Sequence, residues 1–264
     1  MSEPLYLSVS QIAVLTECEQ RWVFRKTLGD PETVLGVPLL LGSLLHELCQ
    51  GWAQGLPWRE VWHDELEASG WEEGFEEPEY FLRAWSIMQD WETHYGVRNT
   101  AYTVVGRELP FDVPVPGVEG VRVRGYLDEL RSVQVGPNRT DSEIRVGEYK
   151  SMGRWGREKM VPFDPQLWTY IWIAKQIHGG VTGATFDAIS TYAYKSPEPE
   201  KRFKKIELEW DQRAVDQNVS YLQRAAVRAL ELRDKPLLAV RNISDGSCRY
   251  CAHHRPCLTP WETP

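Results

Sequence analysis

No stretch of this 264-residue chain approaches the ~20 consecutive apolar residues of a membrane helix. The N-terminus, MSEPLYLSVSQ, lacks the basic patch and apolar run of a secretory signal, so a cytoplasmic location is expected. Cysteine is scarce. Five thiols in such a compartment argue against a disulfide scaffold and toward metal or redox use. A Gly-x4-Gly-Lys-(Ser/Thr) phosphate loop is missing, which excludes a nucleotide-driven motor of that type. There is no internal repeat and no low-complexity run. Positive charge is also short: 30 Lys and Arg face 38 Asp and Glu, a net charge of −8. That balance does not advertise a polyanionic partner, but it is uneven. Residues 1–150 hold 13 basic against 25 acidic side chains, and residues 151–264 hold 17 against 13. A local basic surface is therefore still available. The acidic excess, concentrated between Glu60 and Glu92, reads as a solvated face.

What is present centres on Val121 to Lys150, VRVRGYLDELRSVQVGPNRTDSEIRVGEYK. Alternation predicts two strands, Val121 to Val133 and Glu143 to Lys150, joined by a polar loop. Arg122, Arg124, Tyr126 and Asp128 share one face of the first. Ile144, Val146, Glu148 and Lys150 share a face of the second, apolar at its start and charged at its end. An unpaired charge there would be costly to bury. A divalent metal held by Asp128 and Glu148, with Lys150 beside it facing a phosphate, would compensate. A surface hairpin with ion-paired charges is the plainer alternative.

In chain order, Ser8 or Ser10 caps a first helix, in which Ile12, Leu15, Glu19 and Trp22 recur at helical spacing with Cys18 beside them. A second helix, LLLGSLLHELCQGWAQG, has the stripe Leu41, Leu45, Leu48, Trp52. His46 lies on its flank, one turn beyond Gly42, and Gly42 permits a close approach. Cys49 reads as core. Residues 57–98 read as helical, with Trp85, Met88, Trp91 and Tyr95 in the core. Tyr102 begins the sheet, and Glu108 reads as a strand-end ion pair. Ser151 to Pro162, with Arg154, Arg157 and Lys159, reads as a basic loop. Asp164 with Pro165 starts a helix that places Gln166 and Tyr170 on one face. Thr185 to Tyr194 and Phe203 to Trp210 read as an edge hairpin, with Lys201, Arg202, Lys204 and Lys205 discouraging sheet-to-sheet pairing. Asp211 caps a long helix to about Arg233, whose Arg213, Arg224 and Arg228 reach either phosphates or neighbouring acids.

The tail carries Cys248-x2-Cys251-x5-Cys257. Three thiolates this close leave one ligand missing. A fourth cysteine elsewhere would complete a 4Fe–4S site; zinc held with His253 or His254 is the alternative.

Taken together, these residues resemble a family. Gly125-Tyr-Leu-Asp128 followed by Glu148-Tyr-Lys150 resembles the core of the PD-(D/E)xK nucleases. The branch it is most similar to is the RecB-like exonucleases, including the CRISPR-associated exonucleases that carry an iron–sulfur cluster. Leu127 stands where the superfamily's name puts proline, and that branch commonly writes this element as Gly-x-x-Asp. Gly42-x3-His46 resembles its first motif, and Gln166-x3-Tyr170 its motif after Glu-x-Lys. Ser8, Ser10, Ile12 and Cys18 resemble its opening helix.

The resemblance implies an α/β, restriction-endonuclease-like fold, a central mixed sheet flanked by helices. It implies one nuclease domain over 1–264: a mainly helical part over 1–100, a core over 101–235, and a Cys-bearing end over 236–264 joined by Cys18. It implies a DNA exonuclease in which Asp128, Glu148, His46 and the Tyr149 carbonyl hold Mg²⁺ or Mn²⁺. Lys150 then handles water or negative charge, and Gln166 and Tyr170 contact DNA. Cys18, Cys248, Cys251 and Cys257 hold the 4Fe–4S cluster. Single-stranded DNA or DNA ends are the implied partner, in recombination, repair, or CRISPR-type or viral DNA processing, with a protein partner in a DNA-processing complex. A non-catalytic DNA-end-binding adaptor and a structure-specific or RNA-directed nuclease are the rival readings.

Overall fold

Strand register decides where every other element goes. The structure, a computed structural model, describes residues 3–29, 37–70, 77–95, 102–135, 141–153, 157–192 and 202–243, with 248, 251–253 and 257. The strands are β1 (Leu5–Leu7), β2 (Tyr102–Pro114), β3 (Val121–Val135), β4 (Asp141–Met152), β5 (Val181–Ser190) and β6 (Phe203–Glu209). They form one mixed sheet in the order β1-β3-β4-β5-β6, with β2 along the opposite edge of β3. β1 runs parallel to β3 and β4 parallel to β5; the other pairs are antiparallel. A parallel neighbour needs a crossover, and α6 (Pro165–His178) supplies it between β4 and β5. The expected α/β, restriction-endonuclease-like sheet forms, with β3 and β4 each slightly longer than alternation predicts.

The sheet separates two cores. One packs β-strand residues such as Leu130, Val146 and Phe186 against α1 (Val9–Glu17), α6 and α7 (Gln212–Asp234). The other packs Tyr149 and Ile189 against α3 (Val37–Ala53), α4 (Trp58–Ala68) and α5 (Glu79–Tyr95). Fully buried Leu48, Ile87 and Ile171 each contribute about 1.5–3 kcal/mol. Cys49 is buried in the second core, as the stripe on α3 predicts. Asp164 caps α6, its carboxylate accepting from the Gln166 N–H at 2.9 Å, with Pro165 at the first helical position. Asp211 caps α7 in the same way. No helix among the described residues is long and apolar enough to cross a membrane.

Several local expectations are corrected. β1 is not legible in the sequence, and it adds a strand from the N-terminal part to the sheet. Ser8 does cap α1, with Gln11 completing the capping box. The helix does not continue through Cys18, however. Cys18 is extended (φ −157°, ψ 108°) and forms the joint between α1 and α2 (Glu19–Thr27). Glu108 is exposed and lies at φ +40°, and among the described residues it makes no ion pair. Ser151 and Met152 extend β4, and Arg157–Phe163 form a 3-10 helix rather than a loop; Arg154 lies outside the described residues. Lys201 also lies outside them. Arg202 is buried against Asp90 at 2.8 Å and Lys204 bonds Glu158 at 2.8 Å, so both are claimed by the fold. Arg228 pairs with Glu19 at 2.7 Å and with Glu231, so acids rather than phosphates hold it.

Candidate active site

The site lies where two strands part. The last pair between β3 and β4 is Glu129 with Gly147. Beyond it β4 continues along β5, while β3 runs on toward β1, which it meets at Val121–Val123. Asp128 and Glu148 are the first residues past that last pair, so their side chains meet in the fork. Alternation sends Tyr149 to the other side, where its hydroxyl lies 2.8 Å from that of Tyr102. Lys150 returns to the side of Glu148.

α3 closes the fork from the second core. A Cβ at Gly42 would meet Ser151 Oγ at 2.8 Å, so glycine sets this approach. One turn later His46 turns Nδ1 toward Asp128 Oδ2 at 3.9 Å. Its Nε2 lies 3.0 Å from the Gln50 amide, which fixes the ring, and the ring stands edge-on to Tyr149. Gln50 belongs to none of the sequence motifs; its spacing of four from His46 on one helix is the only signal the sequence carries for it.

The first core supplies the opposite wall. Lys150 Nζ lies 3.5 Å from both Gln166 Oε1 and Asp164 Oδ2. Gln166 donates to the Tyr170 hydroxyl at 3.3 Å. Burial and then the Glu148 charge raise the Tyr170 phenol above its ordinary range, which places it near the carboxylates. Asp164 thus has a second role that its capping position alone does not reveal.

Charge in the fork is unbalanced. Glu148 is 7% exposed, and its Oε2 has no hydrogen-bond partner among the described residues. Burial, and next the facing Asp128 carboxylate, push the Glu148 carboxyl well above the usual range; Lys150 opposes this. An orphaned buried oxygen beside a second carboxylate is a donor set suited to a hard divalent cation. His46 at 3.9 Å stands farther off. Among the described residues no three His, Cys, Asp or Glu side chains form a finished metal-binding group.

Behind the fork the sheet holds a buried charge cluster that the sequence does not reveal. Arg131 is fully buried and pairs with Glu129 at 2.8 Å and Asp187 at 2.5 Å. Its guanidinium lies over the rings of Tyr102 and Tyr149. A Cβ at Gly147 would meet Arg131 Nε at 2.1 Å, so only glycine fits there. The cluster braces the residues next to Asp128 and Glu148 from the far side.

Far from the fork in sequence, Cys18, Cys248, Cys251 and Cys257 line one cavity of about 120 Å³, walled also by Phe24, Ile243 and His253. Burial raises the Cys257 thiol; Arg241 opposes this, and the other three cysteines raise it further. The four thiols converge without yet forming a ligand group. His254, the other candidate zinc ligand, lies outside the described residues.

Comparison with known proteins agrees with the architecture. No curated protein matches the sequence. Among solved structures, a protein described as a candidate exonuclease from Eubacterium rectale aligns with a TM-score of 0.60 at 13% identity, covering 98% of this chain and 90% of that one. An alkaline exonuclease from Laribacter hongkongensis (TM-score 0.37, 13% identity, 88% and 93% covered) is too distant in structure to carry an argument. So is a phage-related exonuclease from Haemophilus somnus (TM-score 0.31, 16% identity, 66% and 80% covered). These matches do not distinguish the iron–sulfur branch. The sequence model described as PD-(D/E)XK nuclease superfamily matches residues 6–258, nearly the whole chain, and the chain belongs to that superfamily.

Proposed function

We propose that this chain is a Mg²⁺- or Mn²⁺-dependent DNA exonuclease acting on single strands or DNA ends. The observation that carries this reading is the fork, where the paired carboxylates Asp128 and Glu148 meet with one Glu148 oxygen orphaned and Lys150 alongside. Asp128 and Glu148 would hold the ion, with His46 Nδ1 and the Tyr149 carbonyl as further donors. When bound, the ion supplies positive charge to the transition state and acidifies a water. Lys150, held by Gln166 and Asp164, orients the attacking water or neutralises charge building on the phosphate. Gln166 and Tyr170, joined on one face of α6, position the strand. The four cysteines at the 120 Å³ cavity would hold a 4Fe–4S cluster that ties the joint after α1 to the C-terminal segment. The reading places the protein in the cytoplasm, within a DNA-processing assembly.

The test is single- and double-stranded DNA labelled at each end in turn, incubated with Mg²⁺ or Mn²⁺. Stepwise release from an end, absent without a divalent ion, is expected. Binding of ends with no release under either ion would support the adaptor reading instead.

A further inference from the structure

A groove of about 1010 Å³ lies beside the fork, and none of the residues assigned above to catalysis or DNA contact line it. Its floor is β3 at Arg124, Gly125 and Tyr126, where β3 has left β1 and not yet met β4. Tyr126 is 64% exposed, unusual for an aromatic ring on a strand that is otherwise half-buried. Arg124 is exposed, and its guanidinium lies over the Tyr6 ring at 4.4 Å. Lys26 enters from α2. Among the described residues neither Lys26 nor Arg124 has an acidic partner; of the two acids lining the groove, Asp112 is paired with Arg122 at 2.5 Å and Glu3 is exposed. Burial, followed by Arg124 and Arg25, pushes the Lys26 ammonium down, so these cations crowd one another. Such an arrangement is stabilised by an anion between them.

The groove and the fork share a buried aromatic wall. Phe111 lines the groove, and its ring is 6.3 Å from Tyr170, which bonds Gln166 beside Lys150. Along β3, Tyr126 lies roughly 7 Å and Arg124 roughly 13 Å before Asp128, at ~3.3 Å per residue. A stacked strand of about four nucleotides, at ~3.4 Å each, spans the longer distance.

The geometry points to this groove as the track that receives the single strand next to the scissile bond, with Lys26 and Arg124 on backbone phosphates and Tyr126 stacked on a base. This inference rests on the DNA reading of the fork and adds where the strand lies.

The test measures binding of a 20-nucleotide and a 4-nucleotide thymidine oligomer in EDTA, across a salt series. The Lys26→Gln/Arg124→Gln double variant should bind the longer oligomer about tenfold more weakly. Its dependence of log K on log salt should flatten by about 1.4, at ~0.7 for each phosphate no longer neutralised. Tyr126→Ala should weaken binding by roughly tenfold with the salt slope unchanged. Arg124→Lys should retain the parental slope, which separates lost charge from a misfolded groove. A parent that binds the long oligomer, with variants of equal affinity and slope, overturns the track and leaves the nuclease reading standing. A parent that binds neither oligomer also overturns the track, and the nuclease reading is then decided by end-labelled release with Mg²⁺ or Mn²⁺.

Discussion

The fork and the cysteine cavity are both places where acidic or thiol donors converge, but they are built in opposite ways. Asp128 and Glu148 are twenty residues apart, on neighbouring strands whose register places them before any ligand arrives. Cys18 and Cys257 sit near the two ends of the sequence, Cys18 at the extended joint between α1 and α2, and both line one small cavity. The fork offers hard oxygens beside a cation and an open wall; the cavity offers soft sulfurs among apolar side chains. The fork should therefore survive loss of its donors and lose chemistry. The cavity should lose stability, because its donors are brought together only by folding.

The largest effect should come from the fork. Asp128→Ala, Glu148→Ala and Lys150→Ala should each lower nucleotide release by roughly 10²-fold or more with the circular-dichroism spectrum unchanged. Near-parental release by any one of them would remove that residue from the chemistry. The cavity should show the reverse pattern. Cys18→Ala, purified without oxygen, should lose broad visible absorbance. It should also melt about 10 °C lower, taking several kcal/mol at ~2–4 °C each. Cys49→Ser, buried outside the cavity, should keep its colour. A colourless parent with stoichiometric zinc would replace the cluster with a His253 or His254 site.

A smaller effect belongs to the wall of the fork. Tyr170→Ala should weaken single-strand binding by about 1–3 kcal/mol if the ring stacks on a base, read by fluorescence anisotropy. The smallest belongs to the tie next to Cys18. The Arg228 hydrogen bond, despite opposing burial and with help from the Val240 N–H, lowers the Glu19 carboxyl below its ordinary value. A depressed carboxylate contributes stability above its unfolded pKa of about 4.3 and loses it as pH falls through the folded value. Glu19→Gln should thus cost about 1 kcal/mol at pH 7, solvent screening included, and nothing at pH 2 by urea titration. A gap that persists in acid would mean that packing, not charge, makes the tie.

The two regions also differ in how far the sequence reveals them. Alternation from Val121 and the Asp164-Pro165 cap are local signals, so β3, β4 and the start of α6 can be read directly. β1 is three residues long, too short to alternate, and it forms because β3 offers it an edge. The helical period of Ile12, Leu15 and Trp22 runs straight across Cys18, so periodicity hides the joint there. Arg131 looks like any strand charge: Glu129 is its neighbour on β3, but Asp187 and the two tyrosine rings that bury it come from three other strands. Glu108 reads as an ion-pair residue because a left-handed backbone position leaves no mark on a glutamate.

On the proposed reading, Asp128 and Glu148 are kept together for a metal and not for the fold. With its pKa raised, the Glu148 carboxyl holds a proton more tightly folded than unfolded, so its ionisation at neutral pH destabilises the metal-free protein. The direct measurement is melting temperature against Mn²⁺ concentration for the parent and Glu148→Gln. The parent should start at or below the variant and rise with Mn²⁺ to overtake it, while the variant stays flat. A parent that does not respond, or a variant that responds equally, would contradict the assignment.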